Sequence, residues 1–562
     1  MTKRKTQTFE YGAIILIIST AISKIIGAIF KIPLNDVMGE LGFGYFTSAY
    51  ELFTPIYSLS MAGLPIAVSR MVAEATAEKR YRDVRAILTL TKKAFLVTGF
   101  VGFAIMLALS FPFVNLTDKT GGSIYSIIAI APSLMFCCVM STYRGYYEGL
   151  RNMFPTAFSD VIEASCKLLF GYTIAAVIMK YSGNVAFAAA GAIAGVTVGT
   201  VLGSLFLYLR FRIKGDGITK EELETSPEPK SQRALLRMLV PIAVPVILTS
   251  LATNVASLID VTMVKWQLNR VMDTSAELIR DMYSNAISAY NATAKQTLTD
   301  AAMPTFLYGV RGTAFTIYNL VPTISSVLGV SALPVLASVW TKDRDNKTEI
   351  KKNIESIIKF TALIAIPAGV GMAVLSAPIM DLLYGTVPSV EIGAPMLAVF
   401  GIAAIFAGIS APMTSMLQAI GKQNIPVRNI AVGALVKIVV NFVLVGIPEI
   451  NVHGAPIGTL CCFAYIFIAN LLSLIKHSGV VPNFMSTLIK PLISAAACGA
   501  AAYLVSAVLG TGTINTVLAI SAACIVYFVA LIALRTFSEQ DVLAFPKGEK
   551  LLKLFKKLKF VR

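Results

Sequence analysis

Long apolar runs alternate with short polar segments along the whole chain. Each run is long enough to cross a lipid bilayer as a helix, which takes about 20 residues. There are fourteen runs, which begin near residues 11, 43, 87, 123, 156, 185, 236, 305, 354, 393, 425, 452, 487 and 514. The pattern predicts an all-α polytopic membrane protein with about 14 transmembrane helices.

Basic residues predict the orientation of these helices. Every second connection is rich in Lys and Arg, as in the segment 70–93, and cytoplasmic loops of membrane proteins retain such residues. Both termini are therefore expected in the cytoplasm. The net charge of +17 reflects this bias and favours contact with anionic lipids of the inner leaflet. Since the basic residues form no soluble domain, we expect no nucleic-acid partner.

Three short similarities recur in the same order in the two parts of the chain. They are Leu64-Pro65 with Leu333-Pro334, GLRNMFP (149–155) with GKQNIP (421–426), and GAIAG (191–195) with GAPIG (454–458). An even number of helices separates the copies. The repeat therefore predicts two six-helix lobes related by a pseudo-two-fold axis along the membrane normal, followed by two extra C-terminal helices.

Polar segments divide the chain further. The stretch 212–235 has the charge, Pro and Gly content of a flexible cytoplasmic linker, and 267–304 is a long outer loop, either a lid or a solvated insertion with a surface helix. The predicted parts are the first lobe (1–211), the linker (212–235), the second lobe (236–477), helices 13 and 14 (487–535) and a basic cytoplasmic tail (536–562). The tail's amphipathic pattern predicts binding to the inner leaflet.

Several predicted helices carry charged side chains, which cost about 2.5–3.5 kcal/mol each in a bilayer and so normally face a cavity or a partner. The basic ones are Lys24, Lys31, Lys167, Arg311 and Lys437, and the acidic ones are Glu51, Glu163 and Asp260. The basic excess predicts a cavity for a ligand with concentrated negative charge, such as a pyrophosphate. Arg can contact two phosphate oxygens at once.

The spacing of these charges leaves structural alternatives open. Lys24 and Lys31 are seven residues apart and share a helix face, so both can face one cavity. The alternatives are a Lys31 ammonium that reaches the outer interface and the ion pairs Lys24–Glu51, Lys167–Glu163 and Arg311–Asp260. Asp260 or Glu51 could also bind a coupling Na⁺ or proton, or the membrane potential could act on the cavity charges.

Cysteine and histidine give no sign of a metal or a redox centre. All seven Cys fall in predicted helices, and His453 and His477 lack the spacing of metal ligands. We therefore expect no metal site and no cofactor.

Four segments resemble a known family: SKIIG (23–27), 44–75, 143–172 and 307–322. They are similar to the stage V sporulation protein B and polysaccharide biosynthesis branch of the MOP flippase superfamily, which includes MurJ-type lipid II flippases. The resemblance covers essentially the whole chain. It implies a flippase of the bacterial plasma membrane that moves an undecaprenyl-pyrophosphate-linked cell-wall precursor, lipid II first, to the outer leaflet by alternating access. Cell-wall synthesis proteins would be its partners.

The resemblance also bears on single residues. Helix one of MurJ proteins usually reads S-R-x-x-G-x-x-R-D, with arginines implicated in binding the diphosphate. Here Lys24 takes the first arginine position, Phe30 the second and Lys31 the Asp position. Arg311 matches the basic residue of helix eight, and Glu51 stands where a basic residue is common. Helices 13 and 14 are implied to border a groove for the lipid tail.

Other functions remain open at this point. A flippase for capsule or teichoic-acid precursors would share all these features. A MATE-type cation-coupled antiporter shares the architecture, but cationic drugs favour acidic cavities. A membrane glycosyltransferase or polymerase would need acid/base residues gathered at one membrane face, and the outer loop shows no diagnostic spacing. We therefore expect a transporter and not an enzyme.

Overall fold

The structure, a computed structural model, describes residues 9–61, 63–294, 296–342, 344, 346–510 and 512–536. Its helices are α1 Phe9–Met61, α2 Leu64–Ala77, α3 Tyr81–Thr117, α4 Ser123–Ile130, α5 Ser133–Gly149, α6 Phe154–Ser182, α7 Val185–Lys214, α8 Lys220–Glu224, α9 Gln232–Met282, α10 Ser284–Thr293, α11 Met303–Tyr318, α12 Leu320–Lys342, α13 Lys347–Val374, α14 Ser376–Leu383, α15 Val387–Glu391, α16 Gly393–Ala419, α17 Asn424–Val445, α18 Gly454–Ser478, α19 Lys490–Leu509 and α20 Thr513–Ala533. The predicted amphipathic tail lies outside the described residues.

The predicted membrane-spanning architecture is confirmed. Eleven segments of the described part are long and apolar enough to cross a bilayer, and the first of them, Ile18–Ala77, contains two of the predicted runs. The runs that begin near residues 236 and 305 lie on α9 and on α11 with α12. Every predicted run thus lies on a helix, as expected for an all-α polytopic membrane protein.

Glycines shape the first long helix and its contact with α11. Gly39 has a φ of 64° and a ψ of 180°, so it interrupts α1 between the two predicted runs, in a conformation that only glycine adopts easily. A Cβ at Gly309 would lie 1.8 Å from the Glu40 carbonyl oxygen, and one at Gly44 would lie 2.2 Å from that of Thr305. The backbones of α1 and α11 are therefore in direct contact here.

The described residues form two compact units. The first comprises the residues up to Ala276 together with Asn291–Gly312, and the second comprises Glu277–Tyr290 and the residues from Thr313 onward. The first unit thus includes most of α9 and the start of α11, which the repeat assigns to the second lobe. The predicted domain boundaries stay a prediction.

The segment predicted as a flexible linker is held against the first unit. Its helix α8 begins with a capping box formed by Thr219 and Glu222. Arg82 Nε donates to the Leu223 carbonyl oxygen at 2.9 Å. The Lys230 amide donates to Asp83 Oδ1 at 2.7 Å. These contacts correct the expectation of flexibility, because they tie both the middle and the end of the segment to α3.

The stretch predicted as an outer loop is mostly helical. Residues 267–282 continue α9 past a distortion at Ser275, and α10 follows directly. Gln267 and Asn269 are buried, so the start of this stretch is not a solvated insertion. The predicted surface helix is present as the end of α9 together with α10.

The internal repeat is visible in hydrogen bonds. After α5, the amides of Leu150, Arg151 and Asn152 donate to the carbonyl oxygens of Tyr146, Glu148 and Tyr147 at 3.2, 2.9 and 2.9 Å. After α16, the amides of Ile420, Gly421 and Lys422 donate to the carbonyl oxygens of Met416, Gln418 and Leu417 at 3.1, 3.0 and 2.9 Å. The same helix-ending motif recurs, with Arg151 and Gly421 at positive φ, so Gly421 corresponds to Arg151 and not to Gly149.

The glycine motifs of the repeat also have equivalent contacts. A Cβ at Gly195 would lie 3.1 Å from the Lys167 carbonyl oxygen, and a Cβ at Gly458 would lie 3.2 Å from that of Lys437. Each glycine thus brings its helix close to the backbone of the preceding one at a lysine. This agreement indicates that Lys167 and Lys437 occupy equivalent positions in the two halves of the repeat.

Candidate functional site

Four basic side chains of the first unit form a connected group, the cation cluster: Lys31 on α1, Lys167 on α6, Lys265 on α9 and Arg311 on α11. Lys265 and Arg311 are buried, and Lys31 and Lys167 are half-buried. The cluster is built where α1 crosses α11 through Gly44 and Gly309 and also packs against α6.

Arg311 is the most enclosed of the predicted cavity charges. Its Nη2 lies 4.0 Å from Asp260 Oδ2, with the two side chains 3% and 5% exposed. Its guanidinium carbon lies 5.2 Å from the centre of the Tyr308 ring. The predicted pair with Asp260 is therefore confirmed, and the ring adds a cation–π contact on a desolvated charge.

Lys31 and Lys167 lie close enough to repel each other. Lys31 interacts electrostatically with Lys167 and, with opposite sign, with Glu51. Glu51 also interacts with Arg311, so one carboxylate is shared by several cations. Lys167 Nζ lies 4.6 Å from the Tyr50 ring centre and 5.7 Å from that of Phe30. Positive charge is thus concentrated here beyond what the nearby carboxylate neutralises.

Glu163 differs from its predicted role. Its Oε2 pairs with Arg144 Nη2 at 3.1 Å, and Asp160 Oδ1 lies 2.8 Å from Arg144 Nη1. The predicted ion pair between Lys167 and Glu163 is therefore wrong, although Glu163 still attracts Lys167 electrostatically. A guanidinium from the neighbouring helix α5 reaches both carboxylates of α6 and takes the place of the lysine one turn away.

Lys24 and Lys437 are the remaining predicted cavity charges. Lys24 is exposed on α1, unlike Lys31 two turns further along. The electrostatic partners of Glu51 described above are Lys31 and Arg311. Lys437 is half-buried on α17 of the second unit. The structure therefore brings Lys31, Lys167 and Arg311 together, and Lys265 joins them.

Lys265 is the residue that sequence reasoning missed. It is fully buried, its Nζ donates to Ser48 Oγ at 2.8 Å, and it lies 5.7 Å from the Tyr308 ring centre. Tyr308 thus contacts both Lys265 and Arg311. The apolar run of α9 ends near Lys265, just before the predicted outer loop, so the residue did not stand out as a charge within a membrane span. A polar residue at every fourth position, Lys265, Asn269 and Asp273, was the signal that could have found it.

The chemistry of the cluster suits a phosphorylated ligand. Ammonium and guanidinium groups form charge-assisted hydrogen bonds to phosphate oxygens, and Arg does so through two parallel bonds. Low solvent exposure reduces screening, so each contact is stronger than at a surface. Among the described residues, no group of three or more His, Cys, Asp or Glu lies together as metal ligands.

Comparisons with known proteins identify the family of the chain. The family profile of the polysaccharide biosynthesis proteins matches residues 11–340, and that of MatE matches residues 310–443. The chain is 24% identical over 511 residues to the lipid II flippase MurJ of Bacillus subtilis (strain 168), covering 89% of this chain and 88% of the relative. It is 25% identical over 456 residues to the stage V sporulation protein B of the same organism, covering 80% of each.

Solved structures share the fold. A lipid II flippase MurJ in an inward closed conformation has a TM-score of 0.63 at 14% identity, covering 92% of this chain and 98% of that one. An inward-facing multidrug resistance MATE transporter of the MOP superfamily has a TM-score of 0.58 at 16% identity, covering 82% and 98%. Since the first family profile spans more than half of the residues, the chain belongs to the polysaccharide biosynthesis protein family.

Proposed function

We propose that this protein moves an undecaprenyl-pyrophosphate-linked cell-wall precursor, lipid II in the first place, from the inner to the outer leaflet. The observation that carries the proposal is the cation cluster, in which four helices direct basic side chains into one region of the first unit. A lipid-linked diphosphate presents the concentrated negative charge that such a region favours. The name of one Bacillus subtilis relative, the lipid II flippase MurJ, supports lipid II as the substrate.

Arg311 and Asp260 make the proposed binding reversible. A phosphate that contacts Arg311 has to compete with the Asp260 carboxylate, 4.0 Å away in this conformation. Exchange of one anion for another avoids leaving a buried guanidinium unpaired, which would be costly. When the substrate departs, Asp260 takes its place again. A transporter needs this balance, because a site that binds too tightly cannot release its cargo.

Lys31 and Lys167 would contribute positive charge to the site, because neither has a carboxylate to itself. Glu51 attracts Lys31 and Glu163 attracts Lys167, but each carboxylate also interacts with another cation. The site therefore keeps a positive potential that can attract a ligand. Repulsion between the two ammonium groups is relieved when a dianion lies between them. No bond is made or broken in this process, which requires only a change of access.

We propose the membrane potential as the energy source. The carboxylates named as possible ion-coupling groups, Asp260 and Glu51, already interact with Arg311 and Lys31, so a coupling cation would have to displace a fixed one. An anionic diphosphate that moves outward, away from the negative interior, gains about 2.3 kcal/mol per charge for each 100 mV. The potential alone therefore favours the proposed direction.

Reconstitution tests the proposal. Purified protein in liposomes is supplied with lipid II, a teichoic-acid precursor or a capsule precursor, and transfer is followed by an impermeant enzyme that modifies the exposed sugar. We expect transfer of lipid II, accelerated by an imposed potential of the correct sign. Preference for another lipid-linked sugar would reassign the substrate. Vesicles that move none of the three lipids faster than protein-free vesicles would reject the flippase.

A second candidate is a cation-coupled antiporter, which the MatE profile over residues 310–443 favours. The same vesicles decide between the two. Export of an organic cation in exchange for Na⁺ or protons, without transfer of lipid-linked sugars, would support the antiporter. The basic excess of the cation cluster argues against this outcome, because it repels a cationic ligand.

A further inference from the structure

One face of α9 carries polar side chains at every fourth position, and each contacts another part of the first unit. Lys265 donates to Ser48 of α1 at 2.8 Å. Asn269 Nδ2 donates to the carbonyl oxygen of Leu116, in the last turn of α3, at 3.4 Å. Asp273 pairs with Lys119, just beyond α3. We call these three α9 residues the polar stripe.

Asp118 joins the same region to two more helices. Its carboxylate accepts hydrogen bonds from the Ser123 amide at 2.9 Å and from the Ser123 hydroxyl at 2.7 Å, at the start of α4. It also accepts one from Thr305 Oγ1 of α11 at 3.5 Å. Lys265 attracts it electrostatically. Asp118 thus connects the end of α3 and the start of α4 with α9 and α11.

These contacts join the two halves of the sequence repeat. α1, α3 and α4 belong to the first half of the repeat, whereas α9 and α11 begin the second half, although all of these residues lie in one compact unit. The contacts therefore cross from one half to the other at the predicted outer end. If cargo leaves between the halves at that end, these contacts have to separate.

Lys265 is suited to a contact that opens and closes. It is fully buried, and among the described residues Ser48 supplies its one hydrogen bond, although an ammonium has three donors. A buried charge has given up favourable hydration. Opening would lose the Ser48 contact and the attraction of Asp118, but water would solvate the ammonium in return. The opposing contributions allow the contact to be reversible.

We propose that the polar stripe and Asp118 form a latch that holds the predicted outer side closed. Tyr308, which contacts both Lys265 and Arg311, places the latch beside the proposed substrate site. The inference does not depend on the cargo, because any molecule that leaves at this end needs the same contacts to separate. Its test therefore requires no lipid-linked substrate.

Cysteine accessibility tests the latch in the full-length protein with its seven native cysteines replaced. Ala302, next to α11, is 3% exposed and becomes the reporter as Ala302→Cys. Thr274 is exposed and lies in the predicted outer stretch. Labelling of Thr274→Cys by an impermeant maleimide therefore shows that the reagent was applied from the outer side. Ala75→Cys, buried at the other end of the unit, reports general unfolding with a permeant maleimide.

If the latch exists, adding Lys265→Met or Asp118→Asn should make Ala302→Cys react faster with the maleimide. The labelling rate should rise roughly tenfold, because loss of one such contact makes local opening more frequent. Lys265→Arg, which keeps the charge, should label close to the parent rate. Arg85→Gln, which removes an ion pair with Asp216, is the matched control and should have no effect. Unchanged labelling in both latch variants would overturn the proposal. Equal increases at Ala302→Cys and Ala75→Cys would also overturn it, because the contacts would then only hold the fold.

Discussion

Arg144 of α5 pairs with Glu163 of α6 at 3.1 Å, although Lys167 lies one turn from Glu163 on the same helix. The lysine packs over the Tyr50 ring at 4.6 Å. A spacing of four residues on a helix permits an ion pair, but a guanidinium that reaches two carboxylates from a neighbouring helix makes more contacts. Lys167 therefore belongs to the cation cluster and not to a local structural pair.

Removal of Arg144 should destabilise the protein more than removal of Arg70, which forms an ion pair at the surface. Arg144→Gln leaves the half-buried carboxylates of Asp160 and Glu163 facing each other without their shared cation. Loss of one partner from a fully buried network costs about 3 kcal/mol, which is the upper bound here. Arg70→Gln breaks an exposed pair with Glu74 and should cost less than about 0.5 kcal/mol. Thermal unfolding in detergent measures both. Comparable shifts in the two variants would show that the Arg144 network carries no special stability.

Arg311 is expected to be essential for transport. Arg311→Ala removes the proposed contact with two phosphate oxygens and should abolish flipping, whereas Arg311→Lys keeps a single charge and should retain part of it. The Ala variant also removes the guanidinium beside the buried Asp260 carboxylate, so Arg311→Gln combined with Asp260→Asn serves as the folding control. All three variants are assayed by transfer of lipid-linked sugar at matched protein levels. Wild-type transfer by Arg311→Ala would remove this residue from the site.

The helices could be predicted from the sequence because hydrophobicity and length alone select membrane spans, and each apolar run lies on a helix. The site was only partly predictable. Arg311 and Asp260 stood out as charges within apolar runs, and their pairing follows from burial. Lys265 did not stand out, because it lies at the edge of its run and only the tertiary fold buries it. Arg144 lies in the segment 143–172 that resembles the family, and nothing in the sequence connects it to Glu163 nineteen residues later.

Because the backbones of α1 and α11 are in close contact, one added methyl group at Gly309 should strongly impair folding. A Cβ at Gly309 would lie 1.8 Å from a backbone oxygen, so Gly309→Ala has to push the two helices apart and should greatly reduce the yield of folded protein. Gly27→Ala on α1 meets nothing within 4 Å and should stabilise the helix by up to about 1 kcal/mol. Fluorescence-detected size exclusion and thermal unfolding compare the two. A folded Gly309→Ala of normal stability would contradict the contact.

Orientation can be tested at positions chosen from the structure. Ser226 is buried and accepts a hydrogen bond from the Arg82 amide, so a cysteine there would resist labelling from either side. The exposed neighbour Thr225 is suitable, together with Asn346 and Ser284, which are also exposed. In sealed cells, cysteines at Thr225 and Asn346 should resist an impermeant reagent, and one at Ser284 should react. The reverse pattern would place both termini outside.

The carboxyl of Asp118 predicts a dependence of stability on pH. Burial by itself would raise the pKa of Asp118, but Lys265 and the hydrogen bonds from Ser123 and Thr120 outweigh it, and the pKa lies below the usual 3.8. A lowered pKa in the folded state stabilises the protein fully above the unfolded value, and this stabilisation is lost as the pH falls through the folded value. The difference in melting temperature between wild type and Asp118→Asn should therefore be constant from pH 7 to pH 5 and shrink below pH 4.

Asp273→Asn, at an exposed ion pair with Lys119, is the control and should differ little from wild type throughout. A difference for Asp118→Asn that grows on acidification would mean that the folded protein favours the protonated carboxyl, and Lys265 would then not be holding its charge.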